Sequence, residues 1–278
     1  MTEPIARPVV ELGLEPDGHV LLDASPSGVA YVLLNRRERR NAFDAATIHA
    51  LREAFETLQA ADHVRVVFLR GAGGTFSAGA DLDWMRRAAE ATEEDNRADA
   101  MELALMLKAL HDLPALTVAL VEGAAFGGGA GLAAACDMAL ATETAQFAFT
   151  EVKLGLTPAT ISPYVVRAIG PRAARGLFAT GRVFGAHEAA RLGLVTEVFA
   201  DAAELEAAQE RLAGVMTACA PGAVAEAKRL VDDVAGRDID HDLLADTARR
   251  IAARRANPEG REGVRAFLER RRPEWAAD

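Results

Sequence analysis

The sequence predicts an α/β fold: repeated units of strand, strand and helix, followed by an all-helical C-terminal region. Between residues 28 and 200, short apolar runs rich in Val and Leu alternate with segments whose apolar residues recur at helical spacing. From residue 201 to residue 278 the helical spacing continues without a strand-like run. Residues 1–27 contain Pro and Gly and show little periodicity, so we expect an extended N-terminal arm there.

The core begins with a strand at residues 29–34 and a helix whose N-cap is Asp44, because a short carboxylate can accept the free N–H groups of the first turn. A short helix carrying Trp84 and a longer helix that stops at Pro114 follow the next strand. The other predicted core elements are strands 64–69, 116–121, 138–141 and 146–149 and a helix of small residues at 128–135. The predicted C-terminal helices are 202–218, 221–234, 241–256 and 258–271.

Composition narrows the class of protein. The chain has 278 residues and a formal net charge of −10, which argues against nucleic acid as a partner. No apolar run approaches the roughly 18 residues of a membrane span, and the N-terminal residues lack the basic-then-apolar order of a signal peptide. The two cysteines have no metal-type spacing. We therefore expect a cytoplasmic protein without a membrane partner or a metal site.

Two glycine-rich segments each follow a strand-like run: FSAGADL at residues 76–82 and EGAAFGGGAGL at residues 122–132. A loop that leaves a strand can direct free backbone N–H groups at a ligand, and small residues allow the ligand to approach. Two such groups that converge on one oxygen would stabilise the enolate-like charge of a reacting thioester. The helix beginning at residue 128 would add the partial positive charge of its N-terminus.

One acid stands out beside these loops. Glu151 follows strand 146–149 and precedes a glycine turn, so it lies at a strand end. A wall of apolar side chains around it would raise its pKa and allow proton transfer near neutral pH. The candidate wall residues are Phe147, Phe149, Leu154 and Leu156. Position alone is more typical of a surface or capping acid than of a catalytic one.

Four segments in this order resemble the crotonase superfamily of enoyl-CoA hydratases and isomerases. LNRRERRNAF at residues 34–43 resembles the start of the family's CoA site, the two glycine-rich segments resemble its oxyanion segments, and QFAFTEVKLGLTP resembles its catalytic strand. The resemblance implies a crotonase-type spiral that takes an acyl-CoA thioester, with Glu151 as the catalytic acid/base and the N–H groups of Ala80 and Gly128 as oxyanion donors. It implies that the CoA and acyl channel is lined by Arg36, Arg37, Ala78, Asp81, Leu82, Asp83, Trp84, Gly127 and Gly131, although Trp84 is equally typical of a packing residue.

Gly131 departs from the family pattern, because typical hydratases of the family carry a second glutamate at this position. With one acid, Glu151 must activate the water and also transfer the proton, or the reaction is a double-bond shift that needs one acid/base. A glycine there is also expected to leave space for a branched acyl chain or an extra water. The segment TPATISPYVVRAIGPRAAR and the C-terminal residues resemble the branch that includes methylglutaconyl-CoA and isohexenylglutaconyl-CoA hydratases, which favours hydration.

The resemblance thus implies an enoyl-CoA hydratase for a branched or glutaconyl-type 2-enoyl-CoA. Such an enzyme needs no cofactor beyond the CoA of its substrate. The family also implies a homotrimer or a dimer of trimers with the C-terminal helices at the interface. An isomerase and a catalytically silent CoA-ester-binding protein remain open alternatives. A dinucleotide-binding protein is a third, since residues 129–134 fit G-x-G-x-x-A after a strand.

Overall fold

The computed structural model describes residues 18–276. Its strands are β1 (Val20–Ala24), β2 (Val29–Leu34), β3 (Val66–Gly71), β4 (Leu116–Val121), β5 (Ala124–Phe126), β6 (Met138–Thr142), β7 (Gln146–Ala148), β8 (Phe184–Gly185) and β9 (Glu197–Phe199). Its helices are α1 (Ala45–Gln59), α2 (Leu82–Glu90), α3 (Glu93–His111), α4 (Gly128–Ala135), α5 (Ser162–Thr180), α6 (Ala186–Leu192), α7 (Ala202–Thr217), α8 (Pro221–Val234), α9 (His241–Ala256) and α10 (Pro258–Leu268). The predicted α/β class is confirmed.

The larger sheet has the strand order β1-β2-β3-β4-β6-β9. Strands β2, β3, β4, β6 and β9 run parallel, and their near-continuous apolar runs are typical of strands covered on both faces. Strand β1 is antiparallel to β2, with Val20 opposite Leu34. This strand lies in the segment predicted to be an extended arm, so that prediction is wrong for residues 20–24, and residues 1–17 of the arm lie outside the described residues.

A smaller sheet of β5, β7 and β8 stands beside the larger one. Strand β5 pairs parallel with β7, which places the loop after β5 beside the loop after β7. The former opens helix α4 and the latter carries Glu151. Helix α4 packs against α3, α5 and β5, and its small residues permit these close contacts. The two glycine-rich segments and the acid therefore meet at one edge of the core.

The C-terminal helices are attached to the sheet by two cations that cross between layers. Arg65, just before β3, donates from Nη1 to the carbonyl oxygen of Thr217 and from Nη2 to that of Trp275, each at 2.5 Å. Lys228 of α8 donates to the carbonyl oxygens of Leu113 and Ala115, each at 2.7 Å. Lys228 also forms an ion pair with Asp137 at 2.6 Å. These bonds fix α7 and α8 against the edge where β4 and β6 begin.

Candidate active site

A short parallel pairing between Phe43 and Ala80 sets the direction of one backbone N–H. Phe43 donates its N–H to the Gly79 carbonyl at 2.7 Å and accepts from the Asp81 N–H at 2.8 Å. In a parallel bridge the partner residue directs its own N–H and C=O to the opposite side. The N–H of Ala80 therefore points away from Phe43, and Ala80 itself is exposed. This direction is compatible with the predicted role of Ala80 as an oxyanion donor.

The second glycine-rich segment presents another N–H at the start of α4. Gly127 donates its N–H to the Ala148 carbonyl at 2.8 Å, so the N–H of Gly128 is the first free N–H group of helix α4. First-turn N–H groups have no acceptor within their helix, and the helix dipole makes this end partially positive. Gly127 has φ of 50° and ψ of −117°, a conformation open to glycine, and this turns the chain sharply into α4.

Phe43 contacts both segments that carry these N–H groups. Its backbone pairs with Ala80, and its buried ring lies against Gly128, where an added Cβ would be 3.1 Å from the ring. The two segments also pair directly: Ser77 donates its N–H to Ala124 at 2.9 Å and accepts from Phe126 at 3.0 Å. The predicted meeting of the two glycine-rich segments thus has an identifiable structural cause.

Glu151 begins a 3-10 helix, Glu151–Leu154, directly after β7. Its Oε2 is buried and has no hydrogen-bond partner among the described residues. Its Oε1 lies 3.2 Å from the position that a Cβ on Gly127 would take, so the carboxylate is beside the turn that opens α4. Burial raises the pKa of the Glu151 carboxyl above its ordinary value. The carboxylate therefore has one oxygen available to a proton or a water.

The predicted apolar wall around Glu151 is only half correct. Phe147 and Phe149 are fully buried in the core below the acid. Leu154 and Leu156, however, are 58% and 57% exposed, because the 3-10 helix and its glycine C-cap turn them outward.

Gly131 does not leave the space that was expected. A Cβ at this position would lie 2.1 Å from Cγ2 of Ile161 and 2.5 Å from its Cβ. Ile161 is 2% exposed and stands at the N-cap of α5. Its side chain fills the volume into which a residue 131 side chain would project, so the expectation of room there for a branched acyl chain or a water is wrong. An apolar side chain stands where a second carboxylate would begin.

Arg36 and Asp81, both predicted to line the CoA channel, are instead bonded to the protein. The buried Arg36 guanidinium donates to the Ala42 carbonyl at 2.6 Å and forms ion pairs with Asp44 at 3.1 Å and Asp81 at 3.3 Å. Asp81 caps α2 by accepting the N–H groups of Asp83 and Trp84 at 2.9 and 3.2 Å. Neither side chain is free to contact a substrate, because these bonds hold both of them below the surface.

The remaining predicted channel residues divide into exposed and anchored ones. Arg37 is exposed, Leu82 is 65% exposed, and Ala78 is half-buried. Asp83 is half-buried and forms an ion pair with Arg39 at 3.3 Å. Trp84 packs against the core and donates its indole N–H to Asp99 of α3 at 3.1 Å, which supports the packing interpretation of this residue.

Two residues that shape the site, Phe43 and Ile161, were not among the predicted site residues. Phe43 lies at the end of the recognised LNRRERRNAF segment, but its two contacts involve residues 37 and 85 positions away along the chain. Ile161 lies in the segment whose composition departs from the family pattern, next to a predicted turn. No signal in the sequence links Ile161 to Gly131, because the two residues are 30 positions apart along the chain.

The dinucleotide-binding alternative is contradicted. Its motif requires a glycine turn before the helix, whereas residues 129–134 all lie inside α4. Over the described range 18–276 there is no group of three or more His, Cys, Asp or Glu side chains placed to hold a metal ion. In the same range, none of the helices has the length and apolar character needed to span a membrane.

The sequence model of a family described as enoyl-CoA hydratase/isomerase matches residues 24–278. The fold is similar to the crystal structure of an enoyl-CoA hydratase from Shewanella pealeana, with a TM-score of 0.89 and 39% identity over 94% of this chain and 97% of that one. The chain is 35% identical to "Enoyl-CoA hydratase ACTT6" of Alternaria alternata, over 79% of this chain and 72% of the relative. It is 34% identical to "Enoyl-CoA isomerase/hydratase fer4" of Mycosarcoma maydis, over 94% and 95% of the two chains.

Proposed function

Because the chain belongs to the enoyl-CoA hydratase/isomerase family and has its crotonase fold, we propose that it adds water reversibly across the double bond of a 2-enoyl-CoA thioester. The observation that carries the proposal is the Glu151 carboxylate beside the turn that opens α4: one of its oxygens is buried without a hydrogen-bond partner in residues 18–276, and burial raises its pKa. An acid in that state can take a proton from water and give one back near neutral pH.

In the proposed reaction the thioester oxygen accepts hydrogen bonds from the N–H groups of Ala80 and Gly128. Glu151 removes one proton from a water molecule as the water oxygen bonds to the β-carbon, and the electrons of the double bond move toward the thioester oxygen. The two N–H groups stabilise this enolate, and each such donor is typically worth about 10²–10³ in rate. Glu151 then returns the proton to the α-carbon, so that one water is added and Glu151 is regenerated.

The reaction changes no oxidation state overall, so we propose that it needs no redox group or metal, with CoA arriving as part of the substrate. We also propose the homotrimer or dimer of trimers that the family resemblance implies. Exposed apolar side chains on the C-terminal helices support an interface there: Val215, Val231, Ile251, Phe267 and Leu268. For the acyl group we propose a branched or glutaconyl-type chain. The support is the resemblance of residues 157–175 to the methylglutaconyl-CoA and isohexenylglutaconyl-CoA hydratase branch, since Gly131 leaves no space for a branch.

Double-bond migration is the second candidate, and the Gly131–Ile161 contact favours it. A shift from a 3-enoyl to a 2-enoyl thioester moves one proton from the α-carbon to the γ-carbon and needs no water. A single carboxylate suffices, and the apolar Ile161 in place of a second acid is compatible with it. Both candidates use the same oxyanion donors and the same Glu151.

Mass spectrometry in heavy-oxygen water separates these candidates. Purified protein is incubated with a panel of 2-enoyl- and 3-enoyl-CoA thioesters that includes 3-methylglutaconyl-CoA. We expect labelled 3-hydroxyacyl-CoA, and the substrate turned over fastest identifies the acyl class. Double-bond migration without label would establish the isomerase instead, and CoA-ester binding without turnover would leave the silent binding protein.

The matched variants are Glu151→Gln and Glu143→Gln. Both replace a glutamate by its amide, but the Glu143 side chain is 57% exposed and forms no part of the site. We expect Glu151→Gln to fold, to bind acyl-CoA and to lose turnover, while Glu143→Gln behaves as wild type. Near-normal turnover by Glu151→Gln would remove Glu151 from the mechanism.

A further inference from the structure

Arg36 connects the two segments that pair at Phe43 and Ala80. In the first segment it bonds the carbonyl of Ala42 and pairs with Asp44, the residues before and after Phe43. In the second segment it pairs with Asp81, the residue after Ala80. Its guanidinium therefore contacts the neighbours of both paired residues, and the planar fork of donors in arginine suits this arrangement.

The charges at this cluster of Arg36, Asp44 and Asp81 are nearly removed from solvent. Arg36 is 8% exposed and Asp81 is 4% exposed. Burial acts to raise the pKa of the Asp81 carboxyl, but the backbone N–H groups of Trp84 and Asp83 and the charge of Arg36 outweigh it, so the pKa lies below its usual range. Asp81 is thus a buried carboxylate, and such a charge holds its place only while its partners remain.

We infer that Arg36 is a positioning residue that sets the direction of the Ala80 N–H, and that it does not bind CoA. This inference rests on the proposed function, in which Ala80 donates to the thioester oxygen. Without Arg36, the Ala42 carbonyl loses its donor and Asp81 keeps only the N–H groups of the α2 cap. Residues 78–81 are then held to residues 40–43 by three backbone hydrogen bonds, with no side chain joining the two segments at Ala80. The N–H then samples directions that miss the thioester oxygen.

The expected consequence is a loss of kcat with little change in acyl-CoA affinity. A displacement of about 1 Å at a reacting group can reduce the rate about 10²-fold, and loss of one oxyanion donor costs about 10²–10³. We therefore expect Arg36→Met to lower kcat by about 10- to 100-fold and to change the dissociation constant for butyryl-CoA by less than about 3-fold. A phosphate-binding arginine would give the reverse, a weakened affinity with kcat preserved.

Three variants and one control test the inference. Arg36→Met removes the guanidinium, Arg36→Lys keeps the charge but cannot bond three acceptors in one plane, and Asp81→Asn keeps the helix cap but removes the carboxylate charge. The control is Arg52→Met, because Arg52 also pairs with two carboxylates, Glu56 at 2.8 Å and Glu102 at 2.7 Å, but connects α1 to α3 away from the site. If Arg36→Met does not fold, the two milder variants still test the inference.

The decisive readout is the carbonyl stretching frequency of butyryl-CoA bound to each variant, measured by infrared difference spectroscopy with a 13C-labelled thioester carbon. Hydrogen bonds to the carbonyl oxygen lower this frequency. We expect a lowered frequency on wild type and on Arg52→Met, a smaller lowering on Arg36→Lys and Asp81→Asn, and the smallest on Arg36→Met, in step with kcat. A structural role alone would reduce the amount of folded protein without changing the frequency of the ligand that is bound.

The outcomes separate this inference from the proposed function. If wild type neither turns over enoyl-CoA nor shifts the carbonyl frequency, the proposed function fails. If wild type does both and the Arg36 variants keep the full shift and the full kcat, the positioning role is wrong. A large rise in the butyryl-CoA dissociation constant with unchanged kcat would overturn it as well and return Arg36 to the CoA site.

Discussion

Substituting Gly131 by alanine tests the finding that Ile161 fills the position of a second acid. Ordinary contact begins near 3.4 Å, so Cγ2 of Ile161 must retreat by about 1.3 Å, from 2.1 to 3.4 Å. Overpacking of this kind costs about 1–3 kcal/mol. The upper part of that range applies, because Cβ of Ile161 lies at 2.5 Å and cannot rotate away. Alanine is better than glycine in a helix by about 1 kcal/mol, so the net expected loss is about 2 kcal/mol.

The assay is urea unfolding at one protein concentration, since the stability of an oligomer depends on concentration. The matched control is Gly176→Ala in α5, an exposed helical glycine with open space around its Cβ position and outside the C-terminal helices, which we expect to gain about 1 kcal/mol. In an Ile161→Gly background, which removes both clashing atoms, Gly131→Ala should also become stabilising. A Gly131→Ala protein as stable as wild type, or more stable, would refute the claim that Ile161 occupies this volume.

Four further predictions concern Glu151, the turn beside it and the attachment of α8. The apparent pKa of the low-pH limb of kcat/KM should lie above the ordinary glutamate pKa of about 4.3, because Glu151 must be ionised to act and burial raises its pKa. An apparent pKa at or below the ordinary value would contradict the burial of Glu151. Since a raised folded-state pKa means that stability falls as pH rises through it, Glu151→Gln should be more stable than wild type at pH 7 in urea unfolding. That difference should vanish near pH 4, and a difference that does not depend on pH would contradict the reasoning. Gly127→Ala places a side chain at φ of 50° and 3.2 Å from Oε1 of Glu151, so it should lower stability by about 1–3 kcal/mol and lower kcat measured with enoyl-CoA, whereas unchanged values of both would show that the turn adapts. Lys228→Met removes the cation beside Asp137, which keeps its two hydrogen bonds from Thr117, and leaves two carbonyls without their donor. It should cost about 2–4 kcal/mol in urea unfolding, somewhat below a fully buried pair because both side chains are partly exposed; a loss below about 1 kcal/mol would show that this attachment matters little.

Local signals in the sequence were sufficient for most helices and strands. The N-cap prediction for Asp44 is confirmed by its bond to the Thr47 N–H, and strands β2 and β4 and helices α4, α8 and α9 have the predicted bounds. Strand β1 was missed because its pairing with β2 is a tertiary contact. Its five residues are too few to show a clear alternation of apolar and polar side chains, and the segments on either side of them contain Gly and Pro.

Long-range contacts explain the errors at the site. The sequence shows that Gly131 has no side chain, but only the fold reveals that Ile161 uses the space. Arginine in a loop is typical of phosphate binding, and the burial of Arg36 between Asp44 and Asp81 depends on three segments that meet in space. The outward turn of Leu154 and Leu156 follows from a 3-10 helix that apolar spacing does not predict.

The Phe43 contacts make enzymatic activity a late reporter of folding. Phe43, Ala80 and Gly128 come from three separate parts of the chain, and no contiguous fragment shorter than residues 43–128 contains all of them. Contacts of such long sequence separation form only after the loops between them have closed. During refolding, helical signal should therefore recover before turnover does, and the interval between the two would measure how long the chain takes to bring these three segments together.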